Sequence, residues 1–384
     1  MAKNENLHKA KTQKNDEFYT QYEDIQKELN HYEQHFKGKT VLCNCDDPFE
    51  SNFCKFFLRN FNYLGLKRLI CTSYNSSPFA GTQISLFDLI EGNTEQGHGY
   101  VLDVSSVPMK NGRGVSDEDI DKLLRSKKVV RELKGNGDFR SEECIEYLKQ
   151  ADIVVTNPPF SLFREYVATL MEYNKKFLIL GNMNAITYKE IFPLIKDNKL
   201  WAGFKCFGGG MNMIQPKSTF DETKTKSYTI NEHGNIIKNI MGVIWFTNLD
   251  ISKRHEELIL YKTYTAEEYP TYDNYDAIEV SKVSDIPMDY DGVMGVPITF
   301  LDKFNPEQFE IIELGNSRDN FTPNKDYINP KKHLKDGKVT NGGAINCVLA
   351  IEQDTKPVNT VYYTSDNSKY LVPPYARILI RRKQ

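Results

Sequence analysis

Short apolar runs alternate with amphipathic stretches along the first 200 residues, and this alternation constrains the fold more than any other feature. Between the runs, apolar residues recur three or four positions apart, which is typical of one face of a helix. Strands that alternate with helices predict an α/β fold with a doubly wound, largely parallel sheet. The runs typical of buried strands are KTVLCN (39–44), KRLICT (67–72), GYVLDV (99–104), ADIVVT (151–156) and KKFLILGN (175–182).

Three local patterns predict helices in this half of the chain. Apolar residues spaced by three and four predict a helix over 21–36. Ser141 is a predicted N-cap, because two glutamates follow it and suit the positive end of a helix. Thr187 and Glu190 fit a capping box and predict the start of another helix.

Residues 201–384 have a different character, with fewer helical patterns and more Gly, Asn and Tyr. The run MGVIWFTNLD predicts a strand. Asn305, Pro306 and Gln308 fit the N-cap, first position and capping-box partner of a helix. We therefore expect a mixed α+β region in this half, following an α/β domain over residues 1–200.

An insertion is predicted within the second half. Residues 315–345 are rich in Asn, Asp, Lys and Gly, which is typical of an irregular surface segment. We place the insertion at 316–370.

Composition limits the class of protein. With 384 residues, 40% of them apolar and 26% charged, the chain is long enough for two soluble globular domains. It has no run of about 18 apolar residues, and its polar start lacks the apolar core of a signal peptide, so we expect a cytoplasmic protein. The seven cysteines form no CxxC pair, which predicts reduced core thiols and no metal site.

An uncommon tetrapeptide, Asn157-Pro158-Pro159-Phe160, follows the fourth predicted strand. A strand terminator would explain the prolines, but not the amide before them or the aromatic ring after them. The side-chain carbonyl of Asn157 and the main-chain carbonyl of Pro158 are fixed acceptors for both hydrogens of a conjugated amine. Phe160 offers a face on which a planar base can stack, a contact worth about 1–3 kcal/mol. We interpret the tetrapeptide as a methyl-acceptor site for an amino group.

Three other segments resemble the cofactor site of S-adenosylmethionine-dependent methyltransferases. CDDPF (45–49) ends a predicted strand with acids, as in those enzymes, although their glycine-rich turn is replaced here by Ser51, Asn52 and Phe53. The resemblance implies that the acid in GDF (137–139) accepts a hydrogen bond from the adenine amine of the cofactor, and that FYT (18–20) lies on its methionine part. The cofactor-binding residues implied in this way are Phe18, Tyr19, Thr20, Cys45, Asp46, Asp47, Pro48, Asp138, Phe139 and Asn157.

Taken together, these segments resemble the EcoRI modification methylase family. The similarity runs from about residue 8 to 314 and over the final ARILIRRK, with no counterpart for about 317–370. The segments that carry it are DEFYTQ (16–21), CNCDDP (43–48), GDFRS (137–141), DIVVTNPPFSLFREY (152–166), YDNYDAI (272–278), DGVMGVPITFL (291–301) and KFNPEQFE (303–310).

The resemblance implies a site-specific DNA adenine N6-methyltransferase of a restriction-modification system, with S-adenosyl-L-methionine as cofactor. It further implies a monomer that acts on double-stranded DNA at GAATTC, with target recognition in residues 201–384. A flipped target base is expected physically, because a stacked base cannot reach a pocket at a strand end.

The residues alone leave other functions open. The same acceptor chemistry would serve a methyltransferase for cytosine N4, for RNA adenine or for the glutamine amide of a protein. A catalytically silent DNA-binding relative is also open, because the glycines of the first motif are missing.

Lysines divide the second half into two predicted roles. Loops over 200–240 combine lysines with Asn, Gln, Ser and Thr, side chains that can read base edges. We expect the insertion to contact phosphates and not bases. The lysines concerned are Lys205, Lys217, Lys224, Lys226 and Lys238 in the loops, and Lys325, Lys331, Lys332, Lys335 and Lys338 in the insertion.

Overall fold

The computed structural model describes residues 18–48, 51–74, 99–109, 115–215, 220, 222–223, 227–232, 234–316 and 321–383. These residues form two compact units. The first contains the described residues up to Met183 together with Ala202–Ile251, and the second contains Asn184–Trp201 and the described residues from Ser252 onward. The division therefore does not fall at the single predicted boundary near residue 200.

An eight-stranded sheet forms the centre of the first unit, in the order β5-β4-β3-β2-β6-β7-β12-β8. Its strands β3, β2, β6 and β7 are parallel neighbours, whereas β4, β5 and β12 pair antiparallel. The sheet is thus mixed, and the largely parallel arrangement that we predicted is confined to its four central strands. The strands are β2 (Thr40–Asn44), β3 (Arg68–Thr72), β4 (Tyr100–Val104), β5 (Val130–Glu132), β6 (Ile153–Thr156), β7 (Lys176–Asn182), β8 (Trp201–Ala202) and β12 (Val243–Thr247).

The antiparallel strand β12 explains why the boundary differs from the prediction. It pairs with β7 over five residues and is buried throughout, so residues beyond 201 complete the first sheet. The run MGVIWFTNLD predicted this strand correctly, but the alternation of strands and helices could not show that it joins the first sheet, because it returns from a region with no helical pattern.

The helices of the first unit follow the predicted apolar faces, with shorter bounds. The helix predicted over 21–36 is interrupted after Leu29, where turn residues separate two helices. Ser141 is an N-cap, as predicted, and accepts a hydrogen bond from the Cys144 amide (3.3 Å). The helices are α1 (Tyr22–Leu29), α2 (Glu33–Phe36), α3 (Asn52–Arg59), α4 (Asp117–Leu124), α5 (Glu142–Gln150) and α6 (Phe163–Glu172).

A small antiparallel sheet also belongs to the first unit. Its order is β1-β9-β11-β10, so that the edge strand β1 pairs with a strand almost 200 residues further along the chain. The strands are β1 (Tyr19–Thr20), β9 (Met211–Gln215), β10 (Thr229–Ile230) and β11 (Ile236–Ile240).

The described residues of the second unit include one short α-helix, α7 (Phe192–Lys196), and a four-stranded sheet. The sheet order is β13-β14-β21-β15, which places the C-terminal strand β21 between two others. The strands are β13 (Ile278–Glu279), β14 (Met294–Pro297), β15 (Phe309–Leu314) and β21 (Arg377–Arg382).

Two helix starts predicted for this unit are wrong. The Thr187 hydroxyl donates to the carbonyl of Asn184 within a 3-10 turn, and α7 begins later without a side-chain cap. Asn305 does accept a hydrogen bond from the Glu307 amide (2.8 Å), as an N-cap would. The chain then enters β15 instead of a helix, because the side chain of Gln308 is held by the backbone of Leu258.

The insertion is not irregular, in contrast to the prediction. It carries an antiparallel five-stranded sheet in the order β17-β16-β19-β20-β18, above a small core that includes Tyr327, Tyr363 and Leu371. Strands of three to five residues with charged side chains give no clear periodicity, so the sequence did not reveal them. They are β16 (Lys331–His333), β17 (Val339–Asn341), β18 (Ile351–Gln353), β19 (Tyr362–Ser365) and β20 (Ser368–Val372).

No helix in the described part of the chain is long and apolar enough to cross a membrane. All seven cysteines are free thiols, and five of them are buried.

Candidate active site

A cavity of about 290 Å³ opens in the first unit beside the carboxyl ends of β2 and β6. It brings together segments that are far apart in the sequence, including most of the predicted site. Its lining residues are Phe18, Tyr19, Thr20, Cys45, Asp46, Asp47, Ser51, Asn52, Phe53, Tyr74, Gly137, Asp138, Phe139, Arg140, Asn157, Pro158, Pro159, Ser161 and Leu162.

Asn157 follows β6 directly, and its amide group has a defined orientation. The side-chain Nδ2 donates to the main-chain carbonyl of Phe18 (2.6 Å). The opposite orientation would set two oxygens against each other, so Oδ1 must point away from Phe18. That Oδ1 is buried and accepts no hydrogen bond from any described residue. A buried acceptor without a donor is costly, at about 1–3 kcal/mol, and marks a position where a ligand donor would bind favourably.

The prolines form the turn that we expected, while Phe160 lies differently. Pro159 ends the extended segment, and its carbonyl accepts from the Leu162 amide (3.0 Å). No described donor contacts the carbonyl of Pro158, which lines the cavity. Phe160 is half-buried and packs against the hydrophobic core, outside the residues that line the cavity.

Asp46, at the end of β2, is the most constrained acid of the site. It is 5% exposed, and it accepts hydrogen bonds from the hydroxyls of Ser51 (2.9 Å) and Thr156 and from the amide of Asn157. Burial raises the pKa of Asp46 to about 7, and the three donors oppose that rise. The acid therefore joins the ends of β2 and β6.

In the turn after β2, other residues take the place of the missing glycines. Cys45 has φ of 71°, a left-handed conformation in which glycine is usual. Ser51 is the N-cap of α3, accepting from the amides of Phe53 (3.1 Å) and Cys54 (3.4 Å). Asp47 is buried and lines the cavity, whereas the neighbouring Pro48 is buried but does not line it.

Asp138 lines the cavity in an ion pair that the sequence did not reveal. Its carboxylate accepts from the Nε (2.9 Å) and Nη2 (2.7 Å) of Arg140, which hold the pKa of Asp138 below its usual value. Each carboxylate oxygen can accept two hydrogen bonds, so room for another donor remains. Phe139 is 5% exposed and meets the ring of Tyr166 edge to face at 5.0 Å.

Gly137 fixes the position of this acid. Its φ is +75°, and a Cβ at this residue would lie 1.9 Å from the main-chain oxygen of Ser73, beyond the end of β3. Only glycine permits this close approach, which places Asp138 next to the strand ends.

The segment Phe18–Thr20 is held in place by three elements. Asn157 binds the carbonyl of Phe18, Asn52 donates to the carbonyl of Thr20 (2.8 Å), and β9 pairs with β1. The hydroxyl Oγ1 of Thr20 is buried without a hydrogen-bond partner among the described residues. The predicted site residues are thus assembled in one place, with the exceptions of Pro48 and Phe160.

Several lining residues were not predicted as site residues, namely Ser51, Asn52, Phe53, Tyr74, Gly137, Arg140, Ser161 and Leu162. Ser51 had a usable signal, since a serine before an apolar helical pattern is a typical N-cap. The others depend on contacts that no local pattern reveals.

A cavity at the ends of parallel strands, with acids after one strand and Asn-Pro-Pro after its neighbour, is typical of methyltransferases that act on amino groups. Comparison with known proteins is more specific. Residues 6–383 match the family model described as adenine-specific methyltransferase EcoRI, and the chain therefore belongs to that family.

Curated relatives agree with this assignment. The type II methyltransferase M.EcoRI of Escherichia coli is 48% identical over 316 residues, 81% of this chain and 90% of the relative. The type II methyltransferase M.MpnI of Mycoplasma pneumoniae is 39% identical over 309 residues, 80% of this chain and 85% of the relative. M.MgeORF184P of Mycoplasma genitalium is 39% identical over 312 residues, with the same shares. No solved structure was found to match the chain.

The predicted family and activity are thereby confirmed. The chain is an adenine-specific DNA methyltransferase of the type found in restriction-modification systems, and its family uses S-adenosylmethionine as methyl donor.

Proposed function

We propose that Asn157 and Pro158 hold the N6 amine of a flipped adenine, beside S-adenosylmethionine bound in the cavity. The observation that carries this proposal is the buried Oδ1 of Asn157, which lacks a donor and is oriented by Phe18. The carbonyl of Pro158, also without a described donor, is the second acceptor.

The cavity residues suit this cofactor chemically. Asp47 and Asp138 bring negative charge to a site for a sulfonium cation, and Thr20 offers a buried hydroxyl without a partner. We assign the adenine of the cofactor to Asp138 and Phe139, and its methionine part to the segment Phe18–Thr20. The cofactor site further includes Cys45, Asp46, Asp47, Pro48 and Asn157.

When bound, S-adenosylmethionine would supply an electrophilic methyl group whose sulfur keeps the electron pair of the broken C–S bond. The N6 lone pair would accept that methyl group, and the surplus N6 proton would pass to solvent. Asn157 and Pro158 direct that lone pair by holding both amine hydrogens. Their hydrogen bonds strengthen as positive charge develops on N6, which stabilises the transition state more than the ground state. Phe160 is proposed to stack on the flipped base, which requires movement of its ring from the core.

The wider assignments are also proposals. The four central parallel strands support a doubly wound sheet of the S-adenosylmethionine-dependent type. We assign catalysis to the region 1–200 and target recognition to 201–384, on a monomer that acts in the cytoplasm. Of the lysines expected to contact DNA from the loops, Lys205 is in a loop as predicted, whereas Lys238 is in β11. Lys217, Lys224 and Lys226 lie outside the described residues.

The test supplies tritiated S-adenosylmethionine with duplex DNA, RNA and protein acceptors, followed by nucleoside analysis. We expect label in N6-methyladenine of duplex DNA, with GAATTC as the first sequence to examine. A duplex in which every adenine is already N6-methylated is the control. Label in N4-methylcytosine, RNA or glutamine would contradict the proposal.

Flipping is tested separately with 2-aminopurine at the target position. Its fluorescence should rise when the enzyme binds, because the base leaves the stack. Phe160→Ala should then lower turnover more than DNA affinity, since most affinity comes from phosphates. An unchanged signal on a verified site at saturating enzyme would contradict flipping.

A further inference from the structure

A basic β-hairpin projects from the five-stranded sheet of the second unit. Strands β16 and β17 pair antiparallel, with Lys331 opposite Asn341 and His333 opposite Val339. A tight turn joins them, in which the Leu334 amide donates to the carbonyl of Lys338 (2.9 Å) and Gly337 has φ of +83°. The hairpin therefore has a defined backbone.

The charge of the hairpin is opposite to that of the whole protein. Residues 331–341 contain four lysines against one aspartate, whereas the chain carries a net charge of −3. Three of the lysines, Lys331, Lys335 and Lys338, are exposed.

These three lysines have no ion-pair partner among the residues that the structure describes. Other lysines of the same region are paired, since Lys325 contacts Asp273 (2.7 Å) and Lys369 contacts Asp354 (2.5 Å). The fourth hairpin lysine, Lys332, is half-buried with its Nζ 5.9 Å from the ring centre of Tyr363. Three cations are thus left available to an external anion.

Protection of a sheet edge does not explain this arrangement. Lysines on an edge strand discourage pairing with other chains. Here the edge strand is β17, which contains Val339, Thr340 and Asn341 and no lysine. The lysines instead lie on the inner strand β16 and in the turn.

The sheet face that holds Lys331 also favours binding of an anion. Strand pairing places His333, Tyr362 and Thr364 on that face, and the ring of His333 stacks on Tyr362 at 4.5 Å. The paired residues of the neighbouring strands add Asn341, Val339, Tyr370 and Gln353, so that none of these strand residues is a carboxylate. Such a face does not repel a polyanion.

We propose that the β16–β17 hairpin binds the phosphate backbone of duplex DNA through Lys331, Lys335 and Lys338. β-Ribbons are known to fit DNA grooves, and lysine binds phosphate as a point charge. The inference rests on the DNA substrate of the proposed function and adds a contact surface, positioning the protein without choosing the sequence.

The test compares the full chain with the triple variant Lys331→Gln, Lys335→Gln and Lys338→Gln. The matched control is Lys37→Gln, Lys39→Gln and Lys67→Gln, which removes the same charge from exposed lysines near the amino ends of β2 and β3. Duplex affinity is measured by fluorescence anisotropy from 50 to 200 mM salt. Thermal unfolding confirms that each variant is folded.

Loss of three phosphate contacts should lower the slope of log affinity against log salt by about 2.7. The ratio of the dissociation constants at 200 and 50 mM should then fall by about 40-fold. The control should keep the slope of the unmodified chain, and the hairpin variant should keep the methylated sequence.

Four outcomes would overturn the inference: an unchanged slope, an equal change in the control, a larger loss for single-stranded DNA or RNA than for duplex, or a changed methylation sequence. Failure of the proposed function looks different. The unmodified chain would then methylate no duplex, while the anisotropy slope of the hairpin variant would still report on phosphate binding.

Discussion

The polar groups at two neighbouring strand ends of the candidate active site differ in the hydrogen bonds that they accept. At the end of β2, Asp46 is buried and accepts three hydrogen bonds from within the protein. At the end of β6, the Oδ1 of Asn157 is equally enclosed and accepts none. The carboxylate of Asp46 is thus saturated with hydrogen bonds, whereas the Oδ1 of Asn157 is an open acceptor, one that no donor among the described residues satisfies.

The difference separates groups that stabilise the structure from groups that can bind a ligand and take part in the reaction. A saturated acid joins two strands and has little left to offer a substrate. An open acceptor is costly in the free protein, and its cost is removed only when a ligand supplies the donor. Catalytic groups are thus to be sought among unsatisfied buried atoms rather than among the best-connected ones.

Asn157→Ala should have the largest effect, lowering kcat by about two to three orders of magnitude, the loss typical of one transition-state hydrogen bond. Single-turnover methyl transfer measures it, and calorimetry should show a far smaller loss of affinity for S-adenosylmethionine. The control is Asn157→Asp, which keeps an oxygen toward the cavity and should retain more activity. Near-normal turnover of the alanine variant would show that Asn157 is not the acceptor.

Asp138→Ala should weaken binding of S-adenosylmethionine by about 1–3 kcal/mol, because the cofactor amine would lose its acceptor. Arg140→Gln serves as the control, since it removes the internal partner of Asp138 and keeps the acid. Titration calorimetry gives both affinities. If the arginine variant loses as much as the alanine variant, the ion pair matters structurally and Asp138 does not bind the cofactor.

Asp46 should make stability depend on pH. Its folded pKa of about 7 lies above the ordinary 3.8, so the folded state keeps a proton that the unfolded state releases in between. The contribution of Asp46 to the unfolding free energy should be greatest below pH 4. This contribution should fall by up to about 1.4 kcal/mol per pH unit between pH 4 and pH 7.

Urea unfolding measures this contribution as the difference between the protein and Asp46→Asn. In a Trp201→Phe background, fluorescence reports on the fully buried Trp245 of the first unit. A difference that does not change with pH would mean that Asp46 ionises as an ordinary acid does.

Ser51→Ala should give the smallest effect. Loss of an N-cap costs about 1 kcal/mol, and loss of the hydroxyl donor to Asp46 adds to it. Ser141→Ala is the matched control, because Ser141 caps α5 and no hydrogen bond to an acid is seen for it. The loss of unfolding free energy is read from Trp245 fluorescence. Equal losses in the two variants would show that the hydrogen bond from Ser51 to Asp46 does not stabilise this strand end.

The sequence predicted the parts of the site that local patterns encode. The strands β2 and β6, and the residues that follow them, could be recognised because a buried run and its terminator are adjacent in the chain. The ion pair of Asp138 with Arg140 was missed, since two residues of opposite charge at this spacing have no fixed geometry outside a helix. The assembly of the cavity around Phe18 depends on pairing with β9, which only the fold reveals.

The failures in the second unit have a related cause. Asn305 forms the predicted cap contact, yet a strand follows, because the local signal competes with the hydrogen bonds between Gln308 and Leu258. The five-stranded sheet was missed because its strands pair with one another and carry little apolar pattern of their own.

The position of β21 affects how the protein is made. This strand, Arg377–Arg382, supplies the hydrogen bonds that join β14 to β15. A ribosome delivers the chain from its N-terminus, so the sheet of the second unit lacks its central strand until residues 377–382 have been synthesised. Before then, β14 and β15 each present an unpaired edge, which makes the unfinished chain vulnerable to aggregation. Nascent chains stalled before residue 377 should consequently expose this sheet to proteases, whereas chains that include β21 should protect it.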